Sequence, residues 1–175
     1  MLKNILNLGD AALYCDFGKE VNKEINTNVI KYFKNIKEKN IEGITNITPS
    51  YNKLIVSFDL MVTNYSKIKK IIENIEINEK SEKAKKFLEI PVCCEKNLKL
   101  DNDRLEKILK IKFDKILENF FNKEYFCYMT GFIAGMPFLG DINEKLRVKR
   151  LETPRVKVPK GSVGLTEQFC NIYTY

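Results

Sequence analysis

Seven cations crowd into residues 145–160 of this 175-residue chain: Lys145, Arg147, Lys149, Arg150, Arg155, Lys157 and Lys160, opposed by Glu152 alone. The local excess of six positive charges compares with a net +7 for the whole chain. Arg155, beside Pro154, is the first candidate to grip a carboxylate or phosphate with its guanidinium fork. The competing role is a brace at a domain interface, and the residues leave both open. Arg150 and Lys157 are further ligand-binding candidates. If 156–158 is a strand, alternation puts Arg155 and Lys157 on one face. Lys160-Gly161-Ser162 adds backbone N–H groups and a hydroxyl nearby. It is not a phosphate loop of the G-x-x-x-x-G-K-[ST] type, and an ordinary tight turn is the simpler reading. For the stretch as a whole, the plain alternative is a solvated basic rim on a β-rich domain.

A second stretch, residues 131–140 (GFIAGMPFLG), is rich in backbone punctuation. Gly131, Gly135 and Gly140 can let the backbone approach a small ligand, and Pro137 fixes the exit. Turn geometry is the alternative for each glycine, favoured more at Gly140 than at Gly135. Phe132 and Phe138 can line a pocket or simply join a core. Asp141 can serve as a base or a magnesium ligand, but an aspartate after a glycine is more commonly a turn residue.

Composition narrows the chemistry. The chain has no histidine, which removes Ser–His and Cys–His triads, the usual proton shuttle and the commonest metal ligand. A self-contained hydrolase is therefore disfavoured, and no catalytic residue is singled out. The five cysteines (Cys15, Cys93, Cys94, Cys127 and Cys170) include no C-x-x-C pair, so neither a zinc cage nor a disulfide framework is expected, and no metal site. Most of these thiols read as small buried hydrophobes, and Cys93 and Cys94 would face opposite sides of a strand. No apolar run reaches the length of a membrane span, and the N-terminal residues lack a signal-peptide layout. A cytoplasmic location with no membrane partner is expected. The cations are not interleaved with aromatics and match no nucleic-acid motif, so no nucleic-acid partner is expected.

The elements that must position these residues read as an α+β chain. Residues 8–17 form a strand entered by a Gly-Asp turn. Val21, Ile25, Val29, Tyr32, Phe33 and Ile36 recur at helical spacing until Lys39 and Asn40. Residues 44–48 are a short strand, and 54–60 (LIVSFDL) a central one. A second helix carries Tyr65, Ile68, Ile71, Ile72 and Ile75, capped by Asn64 or Ser66. A polar linker covers 78–86. Residues 87–94 (FLEIPVCC) read as a strand that Pro91 confines to an edge or a domain crossing. This βαββαβ order is ferredoxin-like. Asp101 and Asp114 start two more helices, 125–130 is a strand, and short strands follow at 156–158 and from 163 onward.

Taken in order, GDAALYCDFG, SYNKLIVSFD, EIPVCC, YMTGFIAGMPFLG and TPRVKVPKGSVG resemble the Kip-inhibitor family, also called the allophanate hydrolase subunit 1 family, with related sequence in urea carboxylases. The resemblance spans nearly the whole chain. Gly131, Phe132, Gly135, Pro137, Leu139 and Gly140 match one family motif. Thr153, Pro154, Arg155, Val158, Pro159, Gly161, Ser162 and Val163 match the other, and Arg150 falls where a family arginine sits. Lys149, Ala134, Met136, Asn171 and Thr174 depart from the pattern. What the resemblance implies is a ferredoxin-like α/β domain over 1–88 and a cyclophilin-like β-barrel domain over 89–175 that is short at its C-terminus. It further implies the B component of an ATP-dependent 5-oxoprolinase, inactive alone, which opens 5-oxoproline to L-glutamate together with subunits A and C. ATP with Mg would be used at the level of the complex. The alternative within the family is a regulatory inhibitor of a sensor histidine kinase.

Overall fold

The computed structural model describes residues 2–78 and 86–175. The chain divides into two compact units, Met1–Ala84 and Lys85–Tyr175, each built on its own four-stranded antiparallel sheet.

The first unit contains β1 (Asn4–Asn7), β2 (Ala12–Asp16), α1 (Lys23–Glu38), β3 (Ile44–Pro49), β4 (Lys53–Phe58) and α2 (Tyr65–Glu73). Leu13 pairs with Val56 and Cys15 with Leu54, so their side chains share one face of the pleat. That face packs with Val29 and Ile36 of α1 and Ile68 and Ile72 of α2 in a single buried cluster. Each such side chain removed from water stabilises the unit by about 1.5–3 kcal/mol. Both helices start on an asparagine. Asn22 Oδ1 accepts the Ile25 N–H at 2.9 Å, and Asn64 Oδ1 accepts the Lys67 N–H at 3.1 Å. Of the two caps expected for the second helix, Asn64 is the one used. Two buried amides fasten the loops: Asn26 Nδ2 donates to the carbonyls of Ser50 and Tyr51, and Asn52 Nδ2 to those of Gly18, Lys19 and Glu20.

Three expectations need correction here. The strand read over 8–17 is the second arm of a hairpin: β1 precedes it and turns through Gly9, at φ +62°. β1 buries only Ile5, so its sequence carries little alternation to read. The order is therefore ββαββα rather than βαββαβ, and the sheet runs β1-β2-β4-β3. The place beside β2 is filled by β1, not by a strand returning after α2. Residues 87–94 form neither helix nor strand, and Phe87, Leu88 and Ile90 are exposed. Strand propensity expresses a fit to a half-buried pleated surface, and these side chains meet none. Of the linker expected over 78–86, residues 79–85 lie outside the described residues.

The second unit begins with a helical hairpin, α3 (Asn102–Leu109) and α4 (Phe113–Phe121), joined through left-handed Lys110. Glu106 Oε1 accepts the Phe113 N–H at 2.6 Å and holds the second helix to the first. β5 (Phe126–Thr130), β6 (Pro137–Gly140), β7 (Val163–Leu165) and β8 (Phe169–Ile172) follow, in the sheet order β5-β6-β8-β7. Ile116 of α4 packs with Ile142, Leu146 and Cys170. Residues 156–158 are not a strand, and Val156 is fully exposed. The alternation that would have aligned Arg155 with Lys157 is therefore absent. Among the described residues the second sheet has four strands, and the cyclophilin-like barrel expected here is not seen as a closed ring.

Candidate functional site

The strand register gathers three separate stretches at one end of the second sheet. Thr130 pairs with Pro137, closing the 131–136 turn. Phe138 pairs with Asn171, so the end of β8 emerges beside that turn. Val163 pairs with Ile172, which brings the 159–162 turn to the same end. Hydrogen bonds lace them together. Thr174 Oγ1 donates to the Ala134 carbonyl at 2.9 Å, Gly161 N to the Tyr173 carbonyl at 2.7 Å, and Tyr173 N to the Ser162 carbonyl at 3.0 Å. Four of the sequence candidates, Gly135, Pro137, Gly161 and Ser162, thus meet here.

Their local chemistry is already committed. Gly135 and Gly161 take φ +75° and +83°, left-handed backbone that a side chain would strain. Ser162 Oγ donates to the Pro159 carbonyl at 2.6 Å, the signature of a tight turn. The expectation for the other glycine is reversed. Gly140 lies inside β6, where a Cβ would come within 2.9–3.0 Å of the Phe169 and Tyr128 rings. It is a close approach of backbone to aromatics, and Gly135 is the turn. Phe132, at the tip of the 131–136 turn, takes φ +66° and is 85% exposed.

The cations go elsewhere. Arg155 is ion-paired with Asp101 at the head of α3, and Arg104 of α3 donates to the Lys149 carbonyl. The 149–155 segment is therefore fastened at both ends to α3, while Arg150 and Lys157 are exposed. An open cleft of about 700 Å³ lies over the first turns of α3 and α4. Its rim mixes Lys99, Arg104 and Lys112 with Asp101, Asp103 and Asp114, a balance that favours no anion over a cation. Lys99 also rests on the Phe113 ring, 4.5 Å from its centroid.

At the opposite end of the sheet, Asp141 is held by two side chains. Tyr128 Oη donates to it at 3.1 Å and Gln168 Nε2 at 2.7 Å. Burial and the Asp141 carboxylate push the Tyr128 phenol up. This group serves the fold, and nothing in the spacing of Tyr128, Asp141 and Gln168 marks them as partners. Burial pushes the Cys15 and Cys170 thiols up to about 12, which keeps both as inert thiols at neutral pH.

Comparison with known proteins bears on the whole chain. Residues 3–175 match the family described as carboxyltransferase domain, subdomain C and D. The B component of 5-oxoprolinase from Bacillus subtilis (strain 168) is 29% identical over 181 residues, covering 97% of this chain and 75% of the relative. The protein of the same name from Haemophilus influenzae is 26% identical, covering 98% of this chain and 80% of the relative. In fold, the crystal structure of TTHA0988 superposes with a TM-score of 0.82 at 22% identity, over 94% of this chain and 32% of that one. The K. lactis urea amidolyase superposes with a TM-score of 0.72 at 13% identity, over 97% of this chain and 12% of that one.

Proposed function

The chain belongs to the carboxyltransferase-domain family, subdomains C and D, and from that premise we propose that it is the B component of a 5-oxoprolinase. The observation that carries the reading is the match to a protein of that name over 97% of the chain. The relatives' shared name favours the enzyme over the sensor-kinase inhibitor.

The reaction is the opening of the 5-oxoproline lactam to L-glutamate. An unactivated amide is a poor electrophile, and ATP with Mg, used by the complex, supplies the activation. The present chain contributes no imidazole. Its Ser162 hydroxyl donates to a backbone carbonyl, and its best-placed guanidinium, Arg155, holds Asp101. With these groups committed, we assign the chain a shaping role: it works with subunits A and C and does not turn over substrate alone. Within that complex, Gly135, Pro137, Gly161 and Ser162 form a fixed backbone end, and Arg150 and Lys157 remain available to a ligand or partner.

In the same reading the first unit is a ferredoxin-like variant. It keeps the antiparallel β2-β4-β3 frame and two helices packed in one core, with β1 in the fourth place. The second unit is a partial cyclophilin-like domain, and the boundary lies near residues 88 and 89. A cytoplasmic setting fits free cysteines. Among the described residues no helix is long and apolar enough to cross a membrane.

Reconstitution tests the proposal. The chain is mixed with candidate subunits A and C, and ATP-dependent glutamate formation from 5-oxoproline is followed. Turnover is expected to fall to background when this chain is left out. Ring opening that proceeds equally well without it would sink the reading.

A further inference from the structure

Two exposed apolar side chains and a set of uncompensated cations lie on the turns and loop of the second unit. Phe132 is a bulky residue held at positive φ and 85% exposed, a conformation that residues other than glycine adopt rarely. The turn that presents it is tied down. Gly131 N donates to the Met136 carbonyl and Met136 N to the Ile133 carbonyl, both at 3.0 Å, and Thr174 fastens Ala134. Val156, between Arg155 and Lys157, is fully exposed.

The charges point the same way. Asp101 compensates Arg155. Among the described residues, no carboxylate forms an ion pair with Arg150, Lys157 or Lys160. The three stretches that meet at the sheet end, 131–136, 159–162 and 173–175, contain Lys160 and no acidic side chain. A strained, rigid aromatic beside unopposed cations is poorly placed for a monomer in water and well placed for an acidic partner. A fixed ring loses little conformational freedom on docking, and buried aromatic anchors dominate interface energetics. Exposed charges around such an anchor steer association and set its salt dependence. A small anion fits less well, because the cations are spread along an exposed loop and the large cleft over α3 and α4 has a mixed-charge rim.

We propose that the 131–136 turn and residues 150–160 form the surface through which this chain binds another subunit of its enzyme. Phe132 enters an apolar pocket on that subunit, and Arg150, Lys157 and Lys160 face carboxylates around the pocket. The inference rests on the 5-oxoprolinase reading, which supplies the partner.

The test measures binding of the full chain to candidate subunits A and C by titration calorimetry, alongside the thermal midpoint of each variant. Phe132→Gly removes the ring and relieves the backbone, so it is expected to raise the midpoint while weakening binding about 10- to 100-fold. A merely structural role would lower both. The K157E/K160E double variant is expected to weaken binding and to flatten its dependence on salt between about 50 and 500 mM, where charges a Debye length apart become screened. A complex that forms equally well with both variants would overturn the surface and leave the enzyme reading intact. Absence of any complex, together with turnover indifferent to this chain, would overturn both. Binding of random-sequence duplex DNA in place of either subunit would overturn the surface in favour of a nucleic-acid partner.

Discussion

Arg155 is where two roles can be told apart by magnitude. Its guanidinium meets the Asp101 carboxylate, and both side chains are about one-third exposed, at 37% and 32%. A pair so open to water is worth about 0.2–1 kcal/mol. If Arg155 is only a brace for the loop after Lys149, Arg155→Ala and Asp101→Asn should each cost under about 1 kcal/mol in urea unfolding. Turnover of the reconstituted complex should then change little, because so small a loss hardly alters the folded fraction. The two substitutions made together should cost no more than the larger single one. A tenfold or greater loss of turnover for Arg155→Ala, absent from Asp101→Asn, cannot come from stability and would make the guanidinium a ligand contact. The partnership is not legible in the sequence. It joins residues 54 positions apart, and a lone arginine next to a proline says nothing of what it faces.

At the level of elements, Gly140 is the sharpest test of how β6 is seated. A methyl group there would lie within 2.9–3.0 Å of two rings, and such overpacking costs about 1–3 kcal/mol. Gly135→Ala has open space, its nearest neighbour being Thr174 Cγ2 at 4.0 Å, and should cost about 1–2 kcal/mol from backbone strain alone. The two are separable. Relieving the crowd with Phe169→Leu should rescue Gly140→Ala and leave Gly135→Ala unchanged, as read by the midpoint of chemical unfolding. No rescue would mean that the ring does not set the fit. The contrast also shows what local sequence carries. α1 and α2 are readable because their apolar residues recur at helical spacing and each begins on a capping asparagine. β4 is readable because its apolar residues run nearly unbroken. FLEIPVCC and Val156–Lys157–Val158 have the composition of strands but lack a surface to pair with, and composition is silent on that. The two glycine-bearing motifs are visible as turns, yet their meeting at one end of the sheet follows from the β6–β8 and β7–β8 registers, which no local pattern encodes.

For the whole molecule, the separation of the two cores leads to a claim about independence. The first unit closes on itself. Its buried cluster draws only on residues of Met1–Ala84, Asn26 and Asn52 satisfy loop carbonyls within it, and Asn78 N donates to Asn35 Oδ1 near the end of α1. A unit of this size can bury enough apolar surface to fold alone. A fragment of residues 1–84 should therefore give one cooperative thermal transition by circular dichroism. Leu54→Ala, which empties a fully buried site, should lower its stability by about 2–5 kcal/mol, as it does in the intact chain. A fragment without a cooperative transition would show that the first core depends on the second. The same fragment bears on function. The proposed partner-binding surface lies entirely in the second unit, so residues 1–84, even when folded, should fail to compete with the intact chain for subunits A and C. Competition by that fragment would move the interface to the first unit, where Leu60, Met61 and Val62 are exposed in succession after β4.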